Sequence, residues 1–273
     1  MRNKPYFTLI LICSVLSLMG CEEKHKAPES KGQQHYAEKV IDQADVLPYL
    51  NIKEQRAEYA LPFCEKKNCI DIDIQTINTQ DVWLNQWIAK NQAQIIQQQI
   101  DLNQNLSLQQ AVNAFIKASD QWQAKYSKNR AYELEMKTRI ASQRNQYVLL
   151  QIGIDSKIEE LTIKDRQYFF VADRKVQKAL SLNDILKPEQ KTTLNTLVQQ
   201  HYQDWLEKET AEVRKDAPKK LSWSQSDWFF DGEGIGIHYR AHEIAPEASQ
   251  LDIYLNRKQT QQILKPEIYQ QMF

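Results

Sequence analysis

The sequence predicts an α+β fold: an antiparallel sheet of short strands packed by several amphipathic helices. Three observations predict it. Ile70, Ile72 and Ile74 alternate with Asp71 and Asp73, the period-two pattern of a half-buried strand. Within residues 79–100, Leu84, Trp87, Ile88, Ile95 and Ile96 fall near a 3.6-residue stripe, the mark of a helix that covers a sheet. Three strand patterns then follow between residues 131 and 172 with no helical pattern among them, which reads as a meander.

Taken in order, residues 59–64 and 69–74 read as two strands joined by the short turn between Cys64 and Cys69. Asp71 and Asp73 fall on the wet face of the second. Thr79 or Asp81 caps the first helix. Residues 107–126 form a second, with Leu108, Val112, Phe115, Ile116 and Trp122 inward. Residues 131–136 alternate, 146–154 are apolar nearly throughout like a central strand, and 167–172 make a third. Ser181 caps a helical turn that Pro188 stops. A long helix starts at Pro188 or Thr192 and runs to about Val213, burying Leu194, Leu197, Val198, Trp205 and Leu206, with His201 beside that stripe. After a charged linker come Trp223 and Trp228, a turn at Asp231-Gly232-Glu233-Gly234, and strands at 235–239 and 251–255. Pro246 makes their connection a loop or bulge, and a short helix spans 256–264.

The chain has 273 residues, 42% hydrophobic and 26% charged, enough for one globular domain at 47–273. Its 35 basic and 35 acidic residues cancel, so it lacks the basic field that nucleic acid selects. Residues 1–20 read as a signal peptide: Arg2 and Lys4, then an apolar run too short to span a bilayer comfortably. The run ends in Leu18-Met19-Gly20-Cys21, which resembles a bacterial lipobox. The expectation is a mature chain anchored to membrane by lipid on Cys21. Glu22 after the cysteine favours the outer membrane, facing the periplasm. Residues 21–46 are polar and without apolar periodicity, a tether. In an exported chain the remaining pair, Cys64 and Cys69, reads as a disulfide.

Chemistry is thinly marked. No G-x-S-x-G elbow and no H-E-x-x-H occurs. His238, His242 and Glu243 are the nearest approach to a metal site, but on an extended strand the two histidines lie about 13 Å apart. Asp231 and Glu243 could pair for glycoside hydrolysis, and His238 could assist. Alternatively, Glu243 holds its loop by accepting backbone N–H bonds. No cofactor and no metal are expected.

The run with Gly234, Tyr239, Glu243, Ile244, Pro246 and Ala248 resembles the C-terminal hallmark of the RsiV-like extracytoplasmic domain family. Leu182, Asp184, Ile185 and Leu186 resemble its L-x-D-I-L helix start, and Ile77-Asn78 its I-N pair. His242 and Glu247 stand where the family usually has aromatics, and Gln250 where it has glycine. The resemblance implies a non-enzymatic envelope module that recognises lysozyme or peptidoglycan. Its expected ligand contacts are Tyr239, His242 and Glu243. The alternatives are a wall-directed hydrolase and a scaffold for another envelope protein.

Overall fold

Residues 147–150 are all apolar because both faces of that part of their strand are covered. The computed structural model describes residues 47–64, 68–126 and 128–273. The chain divides into Met1–Gln43 and Ala44–Phe273, and everything described belongs to the second. The signal peptide, Cys21 and the tether therefore lie outside the described residues.

Six strands form one sheet in sequence order: β1 (Lys53–Arg56), β2 (Asp71–Asn78), β3 (Glu133–Arg144), β4 (Tyr147–Ile158), β5 (Leu161–Asp173) and β6 (Lys178–Leu180). Helices α1 (Val82–Gln98) and α2 (Leu108–Lys125) connect β2 to β3. A crossover of that length permits a parallel pair, and β2–β3 is parallel while the other pairs are antiparallel. The α+β class is as expected. The expected antiparallel pairing holds except at β2–β3, and three further strands form a separate antiparallel sheet, β7 (Asp227–Phe230), β8 (Gly234–Tyr239) and β9 (Leu251–Asn256). The meander strands, with 12, 12 and 13 residues, are also longer than expected.

Alternate residues of β4 feed two cores. Val148, Leu150, Ile152 and Ile154 pack with α1 and α2. Tyr147 and Leu149 face the other way, into a core with β7–β9 and the late helices. Those helices are α3 (Leu182–Ile185), α4 (Lys191–Leu206), α5 (Ala211–Asp216), α6 (Arg257–Ile263) and α7 (Pro266–Met272). Asp81, rather than Thr79, caps α1, its Oδ1 accepting from Leu84 N at 3.0 Å. Ser107 and Gln110 close a reciprocal capping box on α2. The long late helix is two helices. Thr210 caps the second through Val213 N, so the chain restarts instead of continuing.

Residues 59–64 form no strand, and β2 takes Lys53–Arg56 as its edge partner. Pro62 lacks a ladder donor. The Tyr59 hydroxyl instead donates to Ile72 O at 2.7 Å, and the Gln109 side chain holds both backbone groups of Ala60. The Cys64–Cys69 disulfide forms as expected, with Cα atoms 6.0 Å apart. Serine at both positions is expected to cost about 2 kcal/mol of stability from the reopened short loop. Urea unfolding checks it, and an unchanged midpoint would leave the bridge without a stabilising role.

Candidate functional site

The end of β8 and its connection to β9 carry the three expected ligand contacts. The connection closes on itself through backbone and side-chain bonds. His242 N donates to Ala248 O at 2.9 Å, Glu243 N to Arg240 O at 3.1 Å, and Ala248 N to Ala245 O at 3.0 Å. The Glu243 carboxylate accepts from Arg240 N at 2.9 Å and lies 3.1 Å from Arg240 Nε. Ile244, Ala245 and Ala248 point into the core. His242 adopts φ 65°, a left-handed conformation that costs a side-chain-bearing residue about 1 kcal/mol. Its Nδ1 meets Pro246 O, which helps to hold that conformation. Tyr239 is only 3% exposed, and its hydroxyl donates to Ser222 O at 3.0 Å. Burial pushes that phenol well above its usual range. Of the three residues, His242 and Glu243 reach solvent, and Tyr239 does not.

Beneath the loop the two sheets are joined by a charged knot. Arg240 Nη1 bonds Asp227 Oδ2 at 2.9 Å, and its guanidinium lies over the Tyr168 ring, 4.7 Å from the centroid. The Asp227 carboxylate also accepts from Phe169 N on β5 at 3.1 Å. Burial raises Asp227 above the ordinary carboxylate value despite Arg240 beside it. His238 is 2% exposed, with Nε2 3.2 Å from Gln167 O and Nδ1 2.6 Å from Asp252 Oδ1. A carbonyl oxygen only accepts, so Nε2 carries a proton there. Both ring nitrogens are engaged, which removes His238 from a metal-ligating trio with His242 and Glu243. Among the described residues no three metal-ligating side chains stand together.

Asp231 and Glu243 fall at opposite ends of β8. A six-residue strand separates them, on the order of 17 Å, against roughly 5–9.5 Å for a glycosidase carboxylate pair. Asp231 instead holds the β7–β8 turn, accepting from Tyr254 Oη at 2.7 Å, Glu233 N at 2.7 Å and Gly234 N at 3.0 Å.

A concavity of about 680 Å³ lies elsewhere, over the open end of the six-stranded sheet. Its floor includes Lys137, Arg139, Gln151, Gly153 and Gln167. Sequence reading did not single these out, because each is an ordinary wet-face residue of its strand. The usable signal is on β4, whose positions facing the second sheet change from Tyr147 and Leu149 to Gln151 and Gly153.

Three carboxylates give the fold a pH dependence. Asp155 is held low first by Asp165 N–H and then by Lys164. Burial pushes Asp231 up, but the Tyr254 hydroxyl and two backbone N–H groups outweigh it and leave it low. Burial also opposes ionisation of Asp184, yet Lys178 and Ser181 bring it down to about 2. A folded value below the unfolded one, about 3.9, stabilises above that pH and is lost as pH falls. Asp227 acts with the opposite sign. The urea midpoint is expected to fall between about pH 4 and about pH 2, and less steeply in Asp184→Asn. Identical acid limbs for the two proteins would contradict this.

No protein-family model matches the sequence, and no curated protein does. Several solved structures share its architecture, two of them as follows. One is a DUF3298 family protein from Pseudomonas aeruginosa PAO1, with TM-score 0.59 at 17% identity, over 81% of this chain and 97% of the other. The second is a DUF3298 member from Bacteroides fragilis, with TM-score 0.54 at 13% identity, over 82% and 97% of the two chains. The chain has the fold of DUF3298 proteins. At these identities the likeness is one of fold. No described helix is long and apolar enough to cross a membrane.

Proposed function

We propose that this chain is a lipid-anchored binding module of the bacterial cell envelope, related to the RsiV-like domains, that recognises peptidoglycan or lysozyme without cutting either. The observation that carries the binding reading is the 680 Å³ concavity on the sheet, lined mostly by polar and charged residues. The lipobox at Cys21 supports an anchor in the outer membrane, with the module in the periplasm. The separation of Asp231 from Glu243 weighs against a two-carboxylate hydrolase. Of the two partners peptidoglycan is favoured, because His242, Glu247 and Gln250 depart from the family's pattern in the loop. Immobilised lysozyme and purified peptidoglycan, each offered to the full chain and to a tether-only control, test the proposal. Retention of the full chain on peptidoglycan above the control is expected. Retention on neither would remove the proposed function.

A further inference from the structure

The covered part of the six-stranded sheet stops partway along its strands. On β5 the change runs from Val171 and Phe169, packed in the core, to Gln167 in the groove, matching the change on β4. What lies beyond is ordered by register. One rung crosses five strands: Arg56 opposite Gln75, Gln75 opposite Lys137, Lys137 opposite Gly153, and Gly153 opposite Gln167. Two residues along β3 in one direction stands Arg139, opposite Gln151. Two residues the other way, Asp73, Glu135 and Asp155 lie opposite one another. The groove therefore carries Arg139 toward one end, with Glu54 of β1 also lining it there, and a row of three carboxylates, each paired with a lysine or arginine, toward the other. Its ends are four strand residues apart, about 13 Å.

The Arg139 end is pre-set. Arg139 Nε donates to Gln151 Oε1 at 2.8 Å, Gln151 Nε2 to Gln167 Oε1 at 3.0 Å, and Gln167 Nε2 to Asp165 O at 3.3 Å. A guanidinium can only donate, so the direction of the whole relay is fixed. Among the described residues nothing pairs with the two Nη atoms of Arg139, which leaves a planar fork facing the groove. Such a fork fits a carboxylate bidentately. Gly153 keeps the floor clear. A Cβ there would lie 3.1 Å from both polar atoms of the Gln167 amide, inside the relay. At the carboxylate end Glu135 pairs with Lys137 at 2.7 Å and Asp73 with Arg56 at 2.9 Å, both on exposed lysine or arginine ends that an incoming ammonium can replace.

Resting on the binding-module reading above, we infer that the ligand part recognised is the peptide of the wall polymer. A free carboxylate seats on Arg139, backbone amides meet the Gln151–Gln167 relay, and a free amine faces the Asp73–Glu135–Asp155 rung. The glycan is not required.

The test titrates the full chain, by calorimetry, with a synthetic wall stem tetrapeptide bearing free ends. The controls are the same peptide amidated at its carboxyl end and a peptide-free chitin oligosaccharide. Saturable binding of the free peptide is expected, weaker by about tenfold or more on amidation and in Arg139→Gln. Arg139→Lys should recover only part, because a point charge replaces the fork. Gly153→Ala, which displaces the relay without touching a charge, should weaken binding in the same direction. Arg139 is exposed, and unchanged urea midpoints certify the variants. No saturable peptide binding, equal affinity of Arg139→Gln, or preference for the sugar would each overturn the inference. If intact peptidoglycan is still retained in those cases, the binding-module reading survives without it.

Discussion

Arg174→Ala is expected to destabilise the fold by about 3–5 kcal/mol, as truncation of one partner in a buried ion pair does. The Arg174 side chain is 1% exposed and that of Asp81 14%. Arg174 Nε bonds Asp81 Oδ2 at 2.9 Å, and its Nη2 bonds Pro48 O at 2.9 Å. Asp81 is also the α1 cap, so its carboxylate serves two partners at once. Alanine at 174 leaves that carboxylate buried beside an unfilled space and frees the Pro48 carbonyl. The N-terminal segment, the start of α1 and the β5–β6 turn would loosen together. Nη1 has no hydrogen-bond partner among the described residues, so the pair is not fully compensated. Arg174→Met should therefore cost less than Arg174→Ala, because the apolar chain refills the site. In a double-mutant cycle with Asp81→Ser, the two losses should fall short of additive by about 1–3 kcal/mol. Strictly additive losses in urea unfolding would mean that the two charges act independently.

Gly234→Ala is the second large effect, expected at about 3 kcal/mol or more, the upper end for overpacking. A Cβ on Gly234 would lie 2.0 Å from the Leu255 carbonyl oxygen and 2.9 Å from Thr260 Oγ1. Both atoms are fixed. Thr260 is fully buried, and its hydroxyl donates to Leu255 O at 2.9 Å while accepting from Ile235 N at 3.2 Å. Relief requires separating β8 from β9. Gly236 makes the comparison. A Cβ there also meets an atom at 2.0 Å, but that atom is at the tip of the Phe229 ring, which can turn away. Gly236→Ala should cost less, about 1–3 kcal/mol. The reverse order in chemical denaturation would show that the β8–β9 backbone yields more easily than the ring.

These two sites show what the sequence carries and what it conceals. Gly234 was legible as part of a turn and of a family-like run, and its close contact gives that glycine a physical cause. Arg174 was legible only as a turn residue, because its partner is 93 positions away in the chain. The helix stripes and β4 were readable since periodicity is local, and burial on both faces writes itself as continuous apolar sequence. The strand at 59–64 was misplaced for lack of long-range information: Gln109 and Ile72 claim the groups that a hairpin needs. In the loop, Glu243, Ile244 and Ala248 act by closing and burying the turn. The groove escaped notice because its residues come together only when five strands set them side by side.

The most direct measurement incubates the full chain with purified, intact wall sacculi and follows two quantities together: protein retained in the pellet and soluble wall fragments released. Saturable retention with release no greater than in buffer alone is the predicted result. Absence of retention, or steady release of fragments by the chain, would contradict a module that holds the wall and leaves it whole.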